Sequence, residues 1–146
     1  MEKLSFDSGI REFEINGAVL RFAPHDPNVY ARLAEAGEKI RAVEAELVRK
    51  AAGEEPNGAV VLRLLKEADR QIKDVLGWVF GPGNDFDAIF GVNVMTPCSN
   101  GERAITNFLA AITPVMERGA QECAQRLVGD AVAEAEADRA LRGVTQ

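Results

Sequence analysis

Two stretches of this chain carry apolar residues at one shared spacing, with a short turn between them. The first runs Val29, Leu33, Ala36, Ile40, Val43, Leu47; the second runs Val61, Leu65, Ala68, Ile72, Val75, Val79. Steps of four and three alternate in both, which keeps a narrow apolar seam on one face of a helix. Between them lies "GEEPNG", residues 53–58, where a glycine stops a helix and a proline cannot continue one. Two such seams joined by so short a turn predict an antiparallel helical hairpin. The first helix is expected over residues 27–52, with Asp26 as its cap and Pro27 in the first helical position, where a missing N–H costs nothing. The second is expected over residues 59–79.

Ahead of the helices, "REFEINGAVLRFA" reads as a β-hairpin. Asn16-Gly17 supplies the two positive-φ residues of a type I′ turn. That turn sets the register: Phe13 opposite Leu20, Ile15 opposite Ala18, and Glu12 opposite Arg21, where opposite charges pair across the strands. One side of the hairpin then carries Phe13, Ile15, Leu20 and Phe22. The preceding "KLSFD" alternates too, so Leu4 and Phe6 are candidates for a third strand. A lone hairpin is marginal in water and needs a cover or a partner's sheet.

After the second helix comes "FGPGNDFDAIFG", residues 80–91. Asn84 is expected to cap a short helix over residues 85–90, with Phe86, Ile89 and Phe90 inward and Gly91 closing it. "VNVMTPC" reads as a short extended link that could form one more strand. "SNGE" at Ser99–Glu102 has the spacing of a capping box. The helix that follows carries Ile105, Phe108, Leu109, Ile112, Val115 and Met116, continues through Cys123, Leu127 and Val128, and holds Pro114, which should kink or interrupt it. The expected fold is mainly α (α+β): a hairpin, an antiparallel helical pair, a short helix and a long kinked C-terminal helix. The expected organisation is one domain over residues 1–128, with the hairpin at 1–24 and the helices at 25–128. Residues 129–146 form an acidic, Ala-rich tail with little to bury, expected to fray or project.

Composition narrows the function classes. The chain has 146 residues, 47% of them apolar, enough for one core. Its formal charge of −6, with 17 Lys and Arg scattered among acids, argues against nucleic acid or an anionic membrane as partner. No apolar run approaches the ~20 residues of a membrane helix, and "MEKLSFDSGIREF" holds no signal-peptide core. Two cysteines without a CxxC, and one histidine, do not make a structural zinc site. No cofactor is expected, and free thiols fit a reducing cytoplasm.

The glycine-rich stretch could in principle cradle a phosphate or hold a cation. A phosphate loop follows a strand and opens a helix, whereas this one follows a helix and opens onto two aspartates. A calcium loop needs six or more oxygens, and Phe90 and Val92 stand where ligands would be wanted. A corner between helices is the favoured reading. A nucleophilic site could be drawn only from Cys98 or Cys123 with His25, and His25 sits in a turn, so no enzyme is expected. Trp78 and Phe80 either plug the end of the helical pair or anchor a partner.

In order, "INGAVLRFA", the charged helix "YARLAEAGEKIRAVEAEL" and the corner "VFGPGNDFDAIFG" resemble small phage-encoded proteins of prophage tail modules, similar in layout to tail assembly chaperones. Phe80, Gly81, Gly83, Ile89, Phe90 and Gly91 match that family's corner, and the resemblance spans residues 12–115. It implies a non-enzymatic protein that holds a helical tail partner, such as the tape-measure protein, in the cytoplasm of the host bacterium. Trp78, Phe80, Phe86 and Phe90 are the candidate contacts. The alternative is a structural virion subunit, a homo-oligomer built through the N-terminal hairpin.

Overall fold

The computed structural model describes residues 1–53 and 57–144. Two antiparallel strands, β1 (Arg11–Ile15) and β2 (Ala18–Phe22), precede four helices: α1 (Pro27–Gly53), α2 (Gly58–Phe80), α3 (Phe86–Phe90) and α4 (Ala104–Val144). Residues 54–56 of the expected turn lie outside the described residues. Asn57 caps α2, its side chain accepting the Ala59 N–H at 3.0 Å.

The strand register is the one the turn dictates. Phe13 faces Leu20, Ile15 faces Ala18 and Glu12 faces Arg21. Asn16 and Gly17 both take positive φ, 51° and 83°, and the Arg21–Glu12 ion pair closes at 3.5 Å. Leu20 and Phe22 are buried against the helices, with Phe13, Ile15 and Ala18 packed beside them. The third strand does not form. Residues 1–10 carry no regular structure, and Leu4 and Phe6 stand in solvent. Nothing in the fold covers either side chain, so the alternation of this segment goes unused within the chain.

α1 and α2 pack along their two seams. Ala36, Ile40, Ala68, Ile72 and Val79 are all buried, and the alanines let the two backbones come close. The pair is antiparallel: Arg32, near the start of α1, donates from Nε to the Val79 carbonyl near the end of α2 at 3.0 Å. Leu76 and Phe80 widen the buried face of α2 beyond its seam, because this helix is also covered by α3 and α4. α4 contributes Ile105, Phe108, Ile112 and Met116 to the same core. Its Arg103 end meets Glu44 of α1 at 3.9 Å, while Met116 accepts from the Tyr30 hydroxyl near the start of α1. α4 therefore runs antiparallel to α1, toward the hairpin end of the domain.

One expectation for α4 fails. The Ser99–Glu102 capping box does not form, because the helix begins only at Ala104. Its first amides are instead met by backbone, Ala104 N–H on the Thr96 carbonyl at 3.0 Å and Ile105 N–H on the Val94 carbonyl at 2.8 Å. The "SNGE" stretch forms the turn of a small loop closed by a bridge between Pro97 and Arg103. Pro114 does not interrupt the helix. It lies on the solvent side, where the carbonyl it frees can be met by water, and the neighbouring Thr113 hydroxyl donates to the Leu109 carbonyl at 2.7 Å. Past Gly119 only Cys123 is half-buried, and from Ala124 the helix continues to Val144 exposed throughout its described side chains. At ~1.5 Å per residue this free portion reaches roughly 30 Å beyond the domain.

Gly119 marks where α4 leaves the core. A Cβ there would strike the Pro24 carbonyl, lying 2.8 Å from its carbon, and would come within 2.6 Å of the Tyr30 hydroxyl. Pro24 and Gly119 are both buried, and the Tyr30 hydroxyl oxygen lies 2.6 Å from the Pro24 carbonyl oxygen. Backbone cannot yield as a flexible side chain would, so Gly119→Ala should cost about 2–3 kcal/mol by overpacking. For a domain of this size that lowers Tm by roughly 4–10 °C. Gly129→Ala, at an open position of the same helix, should leave Tm unchanged or raise it; urea or thermal unfolding followed by circular dichroism reads both.

Candidate functional site

The corner after α2 is where sequence reasoning placed the candidate contacts, and its rings form one aromatic cluster. Phe80 meets Phe22 of β2 at 5.1 Å between centroids, Phe86 of α3 at 6.1 Å and Phe108 of α4 at 6.0 Å. Phe108 also meets Phe86 and Phe90. Most of these pairs are edge-on or tilted, the arrangement that ring quadrupoles favour. Phe80 and Phe86 are each 5% exposed. Both are therefore core residues, out of reach of any partner while the corner is closed. Phe90 is half-buried against the same cluster. Trp78 alone of the four stands at the surface, 41% exposed, with Lys39 Nζ of α1 lying 3.7 Å from its ring centroid as a cation–π contact.

The polar residues of the corner are spent on the backbone around them. Asn84 is not the cap of α3; Asp85 takes that place and accepts the Ala88 N–H at 3.1 Å. Asn84 turns to β2 instead. Its Oδ1 accepts the Arg21 N–H at 2.7 Å and its Nδ2 donates to the Arg21 carbonyl at 2.9 Å, with a second bond to the Gly81 carbonyl at 3.2 Å. Arg21 occupies a pair of the hairpin whose backbone groups point away from β1, so the side-chain amide stands in for a third strand there. The segment after α3 is tied to α2 in the same manner. Asp69 accepts the Val94 N–H at 2.7 Å, and Asn93 donates to the Leu65 carbonyl at 3.1 Å. Lys73 bridges Asp69 at 2.9 Å and Asp87 at 2.8 Å. Burial alone would lower the pKa of Lys73, but hydrogen bonds and charge from Asp87 and Asp69 outweigh it and raise it above the ordinary lysine value.

A trough of about 800 Å³ runs along this side of α2, lined by Arg63, Lys66, Arg70 and Asp74 and walled at one end by Asp85 and Phe86. Its lining mixes both signs of charge with no cysteine, histidine or hydroxyl side chain. That surface can make ion pairs with a charged ligand. The candidate nucleophiles lie outside the trough, and Cys123 follows Glu122 on α4, half-buried. His25 Nε2 pairs with Glu122 of α4, whose carboxyl is held below the usual range by that hydrogen bond. Cys98 lies in the loop before α4, so roughly 27 Å of helix separates it from His25. Among the described residues no group of three or more His, Cys, Asp and Glu could hold a metal ion, and no helix is long and apolar enough to cross a membrane.

The bonds made by Asn84, Asp69 and Lys73 were not anticipated from sequence, although Asp69 and Lys73 stand four apart on one helix face, a spacing that announces an ion pair. Compared with protein-family models, curated proteins and solved structures, the chain has no match.

Asn84→Ala should destabilise by about 1–3 kcal/mol, since it removes both bonds to Arg21. Asn84→Asp should rescue none of that loss, because it retains the acceptor but sets a carboxylate against the Arg21 and Gly81 carbonyls. Equal stability of wild type and either variant in urea titration would refute the strand-mimic role. The Lys73 contribution has a defined sign. Its folded pKa is raised, so its contribution is full below the unfolded lysine pKa of ~10.4 and is lost as pH rises through the folded value. The stability gap between wild type and Lys73→Met should therefore hold from pH 7 to 10 and close above that.

Proposed function

We propose that this chain is a non-enzymatic holding protein of the phage tail-module kind, similar to tail assembly chaperones, binding a helical partner such as the tape-measure protein in the host cytoplasm. The observation that carries the reading is the outer portion of α4. Leu127, Val128 and Val132 are exposed there, and helical spacing sets Ala124, Ala131 and Ala135 among them on one side. This is an apolar stripe on a helix held clear of its own core. Asp130 and Glu134 border it on one flank and Glu136 on the other, which suits an amphipathic partner helix with basic edges. A protein that lends such a stripe covers the partner's apolar face, and its acidic surface keeps the pair in solution.

Of the four candidate contacts, Trp78 can act as a second anchor, since a large amphipathic ring half in solvent is typical of binding hot spots. Phe80, Phe86 and Phe90 hold the corner itself closed through Phe108. The charged trough beside α3 borders that corner and offers further ion pairs to a bound segment.

Co-expression with the tape-measure protein tests the reading. Val128→Asp with Val132→Asp should abolish co-purification. Trp78→Ala should weaken the complex about tenfold, near 1.4 kcal/mol. Both variants alter exposed residues, so Tm should stay within ~2 °C of wild type. Wild-type co-purification by both variants would defeat the proposal.

A further inference from the structure

Residues 1–10 have an unusual character for a segment without regular structure. Leu4 is 92% exposed and Phe6 88%, with Met1 and Ile10 also in solvent. Their alternation is that of a strand with one apolar face. Beside them, β1 has an open edge. In a hairpin closed by a two-residue turn, the Ile15–Ala18, Phe13–Leu20 and Arg11–Phe22 pairs bond across the ladder, while the backbone groups of Glu12 and Glu14 point outward. Those groups have no partner among the described residues. The opposite edge differs, since Asn84 occupies Arg21 there. On the buried side of the hairpin Phe13 and Ile15 remain only half-covered.

We propose that residues 3–7 of one copy seat on the β1 edge of a second copy as a parallel third strand. Four registers bring Leu4 and Phe6 to the apolar side of β1. In one parallel register, Leu4 lies beside Phe13 and Phe6 beside Ile15, which extends the apolar face over the two half-covered residues; the other parallel register sets Leu4 beside Arg11 and Asp7 beside Glu14. In the first the charges match: Lys3 lies beside Glu12, Glu2 beside Arg11, and Asp7 beside the neutral Asn16. Glu12 and Glu14 can bond to the backbones of Glu2, Leu4 and Phe6. One antiparallel register sets Asp7 against Glu12, and the other sets Phe6 against Arg11.

The parallel register also decides whose segment it is. Residues 8–10 are all that join the segment to β1, whereas a parallel connection needs a dozen residues or more. The chain cannot fold its own segment back in this sense, so the strand comes from another copy, by the strand-addition mode of recognition. The donor segment and the acceptor edge are different surfaces, so the contact closes when two copies exchange segments reciprocally and repeats from copy to copy when they do not. The proposal does not rest on the holding role assigned to α4 and can fail without it.

The test is size-exclusion chromatography with light scattering on the whole chain, joined to hydrogen exchange. Wild type should run at a multiple of 15.8 kDa, with the Glu12 and Glu14 amides protected. Leu4→Asp with Phe6→Asp should run at 15.8 kDa, with both amides exchanging freely and an unchanged far-ultraviolet spectrum, since neither side chain touches the fold. Lys3→Glu should shift the dissociation constant several-fold toward monomer. Three results would overturn the proposal: a wild type that is monomeric up to millimolar concentration, a double variant that keeps the wild-type mass, or protected Glu12 and Glu14 amides in a monomer, which would mean an antiparallel fold-back within one chain. The α4 variants Val128→Asp and Val132→Asp should leave the mass unchanged.

Discussion

Everything in this fold is arranged around Phe80. It is the last residue of α2, and the hairpin, the short helix and the long helix each bring a ring to it. A ring so placed buries apolar area for three separate parts of the chain at once. Those parts lie 22 to 108 residues into the sequence, so the corner is where local pieces become one domain. The α1–α2 seam could form with only local partners, whereas the hairpin is marginal alone and gains its cover from Phe22 meeting this cluster.

The polar groups of the corner complete what the rings begin. Asn84, Asp69 and Asn93 each fasten an irregular stretch of backbone to a regular one, and Lys73 reaches the Val92 carbonyl at 3.4 Å. Buried or half-buried backbone must find partners. Here side chains supply them because the chain turns too tightly for strands or helices to do so. One oxygen each of Asn84, Asp85 and Asp87 is thereby engaged with Arg21, Ala88 and Lys73, so this stretch works structurally as a joint.

Periodic features were legible in the sequence. The two seams, the type I′ register and the Gly91 stop follow from spacing and turn chemistry, both local properties. The features that were not legible depend on pairs distant in sequence. Nothing near Asn84 indicates that Arg21, sixty-three positions earlier, would claim its amide in place of the helix end. The "SNGE" pattern satisfied a capping rule, yet backbone from Val94 and Thr96 reached the helix end first. Gly119 could not be singled out either: Gly129 of the same helix has open space where Gly119 meets Pro24. Phe80 and Phe86 as candidate contacts show the same limit: large apolar residues beside glycines fit a surface anchor and a core plug equally until the other rings are placed.

The continuity of α4 has a further consequence. Because one unbroken helix links the Gly119 crossing to the exposed Leu127–Val132 row, the direction in which that row points is fixed by counting residues from the crossing. Each residue inserted or deleted between them swings the row by ~100° and moves it ~1.5 Å, while a change of seven almost restores its aim. The helix thus works as an indexed spoke, and the length of its segment between residues 119 and 127 sets its bearing relative to the rest of the molecule.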